Sequence, residues 1–190
     1  MTDHQLRWAV AAIGIYMAAC SALLRKSGVK VNQLTADGNV VQRVIVASGV
    51  LFNLYLLCRA PFPEIDCWTA TRPSPSSLTA LITMLVGGAI MVAAQNGMGR
   101  SWRIGVPATA NEIETLVTGG LNRLSRNPVY LGIMIFLVGT GLAAPGPLSL
   151  AAIVLLFVAF TFIIDREEIY LKEKFGAEYV AYAARVRRWI

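Results

Sequence analysis

The sequence predicts an all-α, polytopic integral membrane protein with about five transmembrane helices, a cytoplasmic loop and a C-terminal interfacial helix. Three observations carry this. Of 190 residues, 56% are hydrophobic and only 15% charged, against the roughly 25% charged of a soluble domain. Several apolar runs approach the roughly 20 residues that cross a bilayer as helix. Lys and Arg are spread unevenly over the segments between those runs, as the positive-inside rule requires.

The runs, in order, are Trp8 to Leu24, Val44 to Cys58, Leu78 to Met98, Pro128 or Val129 to Leu142, and Leu148 to Ile164. The second is short, and Arg43 and Arg59 can snorkel at its ends. Met17-Ala18-Ala19-Cys20 loosely resembles a lipoprotein processing site, but more spans follow, so the first run reads as a retained span. Arg59 to Ser77, rich in Pro and Ser, is a connecting loop. Ala144-Pro145-Gly146-Pro147 is a tight turn, which makes the last two spans antiparallel neighbours. Residues 1–84 are expected to shape access from the lipid side. Residues 85–190 are expected to form the core, within one compact structural domain.

With five spans, one side holds residues 25–43, 99–128 and 165–190, carrying 4, 4 and 6 basic residues. The other side carries 1, 2 and 0. The C-terminus is therefore expected in the cytoplasm and the N-terminus outside. The formal charge of +6 follows from this topology, and no nucleic-acid partner is expected. Cys20, Cys58 and Cys67 have no CxxC spacing and accompany a single His4, so neither a metal site nor a disulfide framework is expected.

Two polar clusters flank the last hairpin and return to one membrane face. Ser125 to Gly132 reads SRNPVYLG. Pro128 suits a first helical turn, and Asn127 is placed to act as N-cap. Arg126 can reach a carboxylate or phosphate, Tyr130 offers a ring or a hydroxyl, and Gly132 lets something pack closely. The bland alternative is a capped helix with Arg126 at the lipid headgroups. Asp165 to Glu168 reads DREE and directly follows the last apolar run. Acidic residues are unfavourable at a helix C-terminus. Either the helix continues, with Glu168 and Lys172 paired at i,i+4, or the carboxylates bind something. Tyr179, Tyr182, Val186 and Trp189 fall on one amphipathic face, with Arg185, Arg187 and Arg188 available to an anionic interface. Upstream, Gln95 and Asn96 sit at the polar end of a span, and Gly97 and Gly99 permit close approach of a backbone or a ligand.

In their joint order these pieces resemble the membrane-embedded methyltransferases, a group that includes isoprenylcysteine carboxyl methyltransferases and phospholipid amine methyltransferases. The pieces are Gly99 to Trp102, Leu116-Val117-Thr118-Gly119-Gly120-Leu121, SRNPVYLG, and REEIYLKEKFGAEYVAYAARVRR. The resemblance covers residues 85–190. It implies S-adenosylmethionine as methyl donor at the cytoplasmic face, and a lipophilic, membrane-embedded acceptor such as an isoprenylcysteine carboxylate or a phospholipid amine. By position, Arg126, Asn127, Pro128, Tyr130 and Gly132 match the family's Arg-His-Pro-x-Tyr-x-Gly element. Glu167 and Glu168 match its double glutamate, and Gly97 and Gly99 match a glycine pair of the phospholipid branch. The catalytic candidates are Arg126, Asn127, Tyr130 and Glu167. The cofactor-binding candidates add Gln95, Gly97, Gly99, Pro128, Gly132, Glu168 and Tyr182, with Tyr130 and Tyr182 as aromatic walls. Asn127 stands where the family has His, so a base, if the reaction needs one, is another group such as Glu167. Two other readings are an NADPH-dependent membrane reductase of similar C-terminal architecture and a non-catalytic membrane protein.

Overall fold

The computed structural model describes residues 77–99, 115–143 and 145–190, together with Trp8, Ile15, Ala47, Leu51, Leu54, Tyr55 and Cys58. The described residues are helical and contain no strand. Helix α1 spans Ser77–Met98, a 3-10 turn spans Gly120–Arg123, and α2 spans Pro128–Ala143. Helix α3 spans Pro147–Phe175 and α4 spans Ala177–Arg185. The two expected spans before residue 77 lie outside the continuously described residues, as does Trp102.

α1 and α3 are each long and apolar enough to cross a membrane, while α2 is apolar but only 16 residues long. Both long helices carry large apolar side chains on the outside as well as the inside. Leu85, Leu150 and Phe162 are each more than 60% exposed, while Met84, Leu156 and Ile163 are buried. A helix that is apolar on both faces suits a site between protein and lipid.

α1 and α2 meet along glycine. A Cβ on Gly132 would lie 2.8 Å from the Met91 nitrogen and 2.9 Å from the Gly87 oxygen. One on Gly139 would meet the Met84 nitrogen at 2.8 Å, and one on Gly87 would run into the Phe136 nitrogen. As α1 advances from Met84 to Met91, its partner in α2 moves back from Gly139 to Gly132, so the helices are antiparallel. Small residues allow backbones in lipid to approach, where packing rather than hydrophobicity drives association. The space beside Gly132, where the sequence expects something to pack closely, is filled by α1.

α2 and α3 are also antiparallel. Gly141 lies against Ile153 near the connecting turn, and Tyr130 lies against Phe160 with ring centroids 5.1 Å apart. Met84, Met91, Phe136, Leu137 and Leu156 form the buried apolar cluster between the three helices. The C-terminal end of α1, the N-terminal end of α2 and the polar part of α3 therefore lie at one end of the bundle.

α3 does not stop at Ile164. It runs on to Phe175, for a length of about 43 Å at 1.5 Å per residue. The charged segment is good helix-forming sequence, and Lys172 and Lys174 complement the dipole in the last turn. Asp165, Glu167 and Glu168 thus sit inside a helix and not at its end. The helix stops at Gly176, whose φ of +53° and ψ of −123° are open to glycine alone. The chain then turns back into α4. This helix is shorter than the amphipathic face read from the sequence: it ends at Arg185, and Val186 is extended at φ −120° and ψ 128°.

Candidate functional site

Four segments converge at the polar end: the turn before α2, the extension of α3, the buried face of α4, and residues 186–190. Ser125 and Asn127 are buried. The Ser125 Oγ accepts from the Asn127 amide at 3.1 Å, and the Asn127 carbonyl accepts the first helical bond of α2 from Leu131 at 3.0 Å. The Asn127 side chain does not cap the helix as expected. Its Nδ2 donates to the Arg188 carbonyl at 3.2 Å, and the Ser125 hydroxyl donates to the same oxygen at 3.1 Å. The Arg126 amide donates to the Arg187 carbonyl at 3.0 Å. These bonds tie the last residues to the start of α2, and Trp189 stacks on Phe157 of α3 with centroids 5.8 Å apart.

The charged centre is Glu168. Arg126 Nη2 lies 2.9 Å from its Oε1 and Arg188 Nη2 lies 2.6 Å from its Oε2. Arg188 Nε also donates to Oε1 at 3.2 Å, and its Nη1 reaches Asp165 Oδ1 at 2.8 Å. The fork geometry of arginine suits such bidentate contacts. The Glu168 carboxylate holds the Arg188 guanidinium above its usual pKa, with Asp165 adding to the effect and burial opposing it. Arg126 Nη1 donates to the Ala183 carbonyl at 3.2 Å, while its buried Nε has no partner.

Beside this network, the Tyr130 hydroxyl donates to Glu167 Oε1 at 2.8 Å. Tyr179 and Tyr182 pack edge to face, with centroids 6.2 Å apart, and both are buried. Tyr182 does not present its ring to an open site. Its hydroxyl donates to the Asn122 carbonyl at 2.7 Å, fixing α4 on the 3-10 turn. Burial pushes its pKa up. Burial, then the nearby Glu168 charge, push the Tyr179 phenol up to about 12.

Of the residues singled out from sequence, Arg126, Asn127, Tyr130, Glu167 and Glu168 are brought together. Pro128 opens α2 beside them. Gln95 is 3% exposed, and neither of its amide atoms has a partner. Gly97 and Gly99 border open space, since a Cβ on either would meet nothing within 4 Å. Sequence reasoning missed Arg188, Ser125 and Asn122 as members of the cluster. By sequence Arg188 falls with Arg185 and Arg187 as a residue available to an anionic interface, and nothing local distinguishes it from Arg187. The described residues hold no group of side chains suited to a metal.

A separate apolar recess of about 290 Å³ lies between Leu51 and Tyr55 on one side and Leu148, Ala152, Leu155 and Leu156 of α3 on the other. Its nearest α3 residue is twelve positions from Glu168, or about 18 Å along the helix, so it is not the polar site.

Comparison with known proteins adds a family. The profile of the phospholipid methyltransferase family matches residues 76–178. Proteins of Oryza sativa, subspecies indica and japonica, named as probable protein-S-isoprenylcysteine O-methyltransferases, are 35% identical over 153 residues, covering 76% of this chain and 80% of theirs. Protein-S-isoprenylcysteine O-methyltransferase B of Arabidopsis thaliana is 38% identical over 109 residues, 55% of this chain and 54% of its own. The Saccharomyces cerevisiae enzyme of that name is 34% identical over 129 residues, 66% of this chain and 53% of its own.

Proposed function

Because this chain belongs to the phospholipid methyltransferase family, we propose that it transfers a methyl group from S-adenosylmethionine to the carboxylate of a prenylated cysteine at the cytoplasmic membrane boundary. The observation that carries the reading is the Arg126–Glu168 ion pair at the polar end of an apolar helical hairpin.

An arginine–carboxylate pair is the chemical complement of an α-amino acid, whose carboxylate takes the guanidinium and whose ammonium takes the carboxylate. The amino-acid part of the donor fits this pair, and the unpartnered Arg126 Nε supplies a further donor. S-adenosylmethionine, once bound, supplies a methyl group already activated by its sulfonium. The work left to the chain is alignment and exclusion of water. In this reading Arg126 holds the donor's carboxylate and Glu168 its ammonium. Tyr130, fixed by Glu167, offers a ring that a cationic centre favours. Pro128 and Gly132 set the position of α2. Tyr182 acts from behind, by holding α4 on the 3-10 turn. Gln95, Gly97 and Gly99 border the same end.

Asn127 favours a carboxylate acceptor. Such a carboxyl group, with a pKa of about 3.5, is ionised at neutral pH and needs no base. An amine acceptor must first lose a proton, and the Asn127 amide is a hydrogen-bonding group spent on the Arg188 carbonyl. The acceptor's lipid chain lies along the exposed apolar face of α3, in the direction of the recess at Leu148 to Leu156. The relatives named for prenylcysteine support the same acceptor.

The test is calorimetric titration of the detergent-purified protein with S-adenosylmethionine, with NADPH and the Glu168→Ala variant as controls. Labelled methyl transfer is then measured to S-farnesylated N-acetylcysteine and to phosphatidylethanolamine. Saturable binding lost in the variant, with transfer to the prenylcysteine, is the expected result. Transfer to the phospholipid alone would move the assignment to the phospholipid branch. Binding of NADPH in place of the methyl donor would sink it.

A further inference from the structure

We infer that Gln95 reads the purine edge of the methyl donor's nucleoside, a specificity role that rests on the methyl-donor reading above. Gln95 is 3% exposed, and both its Nε2 and its Oε1 lack a hydrogen-bond partner. Buried polar groups are nearly always paired, and each one left unpaired destabilises the fold. A side chain kept at that cost calls for a partner from outside the chain.

Its position tells which partner. The contacts of Met84 with Gly139 and of Met91 with Gly132 fix the register of α1 on α2. Continued four residues further, the register places Gln95 level with Pro128, at the N-terminus of α2 and two residues from Arg126. The unpartnered Arg126 Nε is thus at the same end. Four residues beyond Gln95, Gly99 takes a φ of +48° with open space above it, room in which a flat ring can approach the backbone. The buried orphan amide and this open glycine turn are independent features of one locality.

The chemistry of the amide then selects the fragment. A side-chain amide presents a donor and an acceptor side by side. The donor's α-carboxylate only accepts, and its ammonium only donates. The adenine edge alternates an amino donor with a ring-nitrogen acceptor, and glutamine pairs with that pattern in two hydrogen bonds. With Glu168 and Arg126 on the amino-acid end, Gln95 is left to the base.

The experiment compares S-adenosylhomocysteine with its analogue carrying hydrogen in place of the adenine amino group. Binding of each is measured by calorimetry to the wild-type, Gln95→Leu, Gln95→Met and Glu168→Ala proteins. Wild type is expected to bind the analogue roughly tenfold more weakly, the worth of one hydrogen bond. Both Gln95 variants are expected to bind the two nucleosides alike and to melt, without ligand, at or above the wild-type temperature, because an orphan amide has been removed. Glu168→Ala should weaken both ligands while keeping their ratio. Retained discrimination in both Gln95 variants, or a lower unliganded melting temperature in both, would overturn the inference and leave the donor site standing. If neither nucleoside binds wild type while the protein is folded, the donor reading falls and takes this one with it.

Discussion

Arg188 and Glu168, twenty residues apart in sequence, face each other in a bidentate pair: Nη2 lies 2.6 Å from Oε2 and Nε lies 3.2 Å from Oε1. The pair exists because Gly176 turns the chain back after α3 and because the Arg188 carbonyl is held by Ser125 and Asn127. A double-mutant cycle on thermal stability with Arg188→Ala and Glu168→Ala should give a coupling of about 1 kcal/mol, within the range for charge pairs in contact. The coupling should shrink at high salt, since Arg188 is part-exposed. No coupling at low salt would mean the pair contributes nothing in solution.

Tyr130→Phe removes the hydroxyl that donates to Glu167 at 2.8 Å and leaves the ring against Phe160. Loss of a hydrogen bond to a charged group in a part-buried setting should cost about 1–2 kcal/mol. Chemical denaturation would measure it, and Glu167→Gln, which keeps an acceptor, should cost less.

The glycines divide sharply. Gly132→Ala forces a Cβ to within 2.8 Å of the Met91 nitrogen, so two backbones must part, at a cost of about 1–3 kcal/mol. Gly97→Ala meets nothing within 4 Å and lies inside α1, where alanine gains up to about 1 kcal/mol over glycine. The melting temperatures of the unliganded proteins should therefore move in opposite directions.

Tyr179 predicts an alkaline limit. Its phenol is pushed from 10.0 to about 12 in the fold, so the folded state holds the proton more tightly than the unfolded chain. The resulting stability is fully present below pH 10 and is lost as pH rises through about 12. Urea midpoints should fall across that window, and Tyr179→Phe should remove the part of the fall that this phenol causes.

The helices were legible where periodicity and punctuation agree. Pro128 marked the start of α2 correctly, and the apolar run from Leu78 to Met98 gave α1 to within a residue. The joint order of Arg126, Tyr130, Glu167 and Glu168 pointed to one site, and the fold brings these residues to one end of the bundle. What sequence could not give was everything set by the turn at Gly176. The tail's helical period runs on through Val186 to Trp189, but tertiary hydrogen bonds from residues 125–127 to the carbonyls of Arg187 and Arg188 outweigh that preference and straighten the chain. For the same reason Arg188 read as one surface arginine among three. A glycine beside polar residues looks the same in sequence whether a ligand or a helix fills its space, and at Gly132 it is α1 that packs there.

The glycine seam between α1 and α2 also has a mechanical consequence. Two helices whose backbones touch through Gly87, Gly132 and Gly139 cannot slide or separate by small steps without leaving a gap that no side chain fills, so they act as a single stator. Under the proposed function, the lipid acceptor is then expected to reach the polar end by displacement of α3 against that stator. A disulfide clamped across α1 and α2 should leave turnover unaffected, whereas one clamped across α2 and α3 should slow it. Equal effects from the two clamps would show that the moving part lies elsewhere.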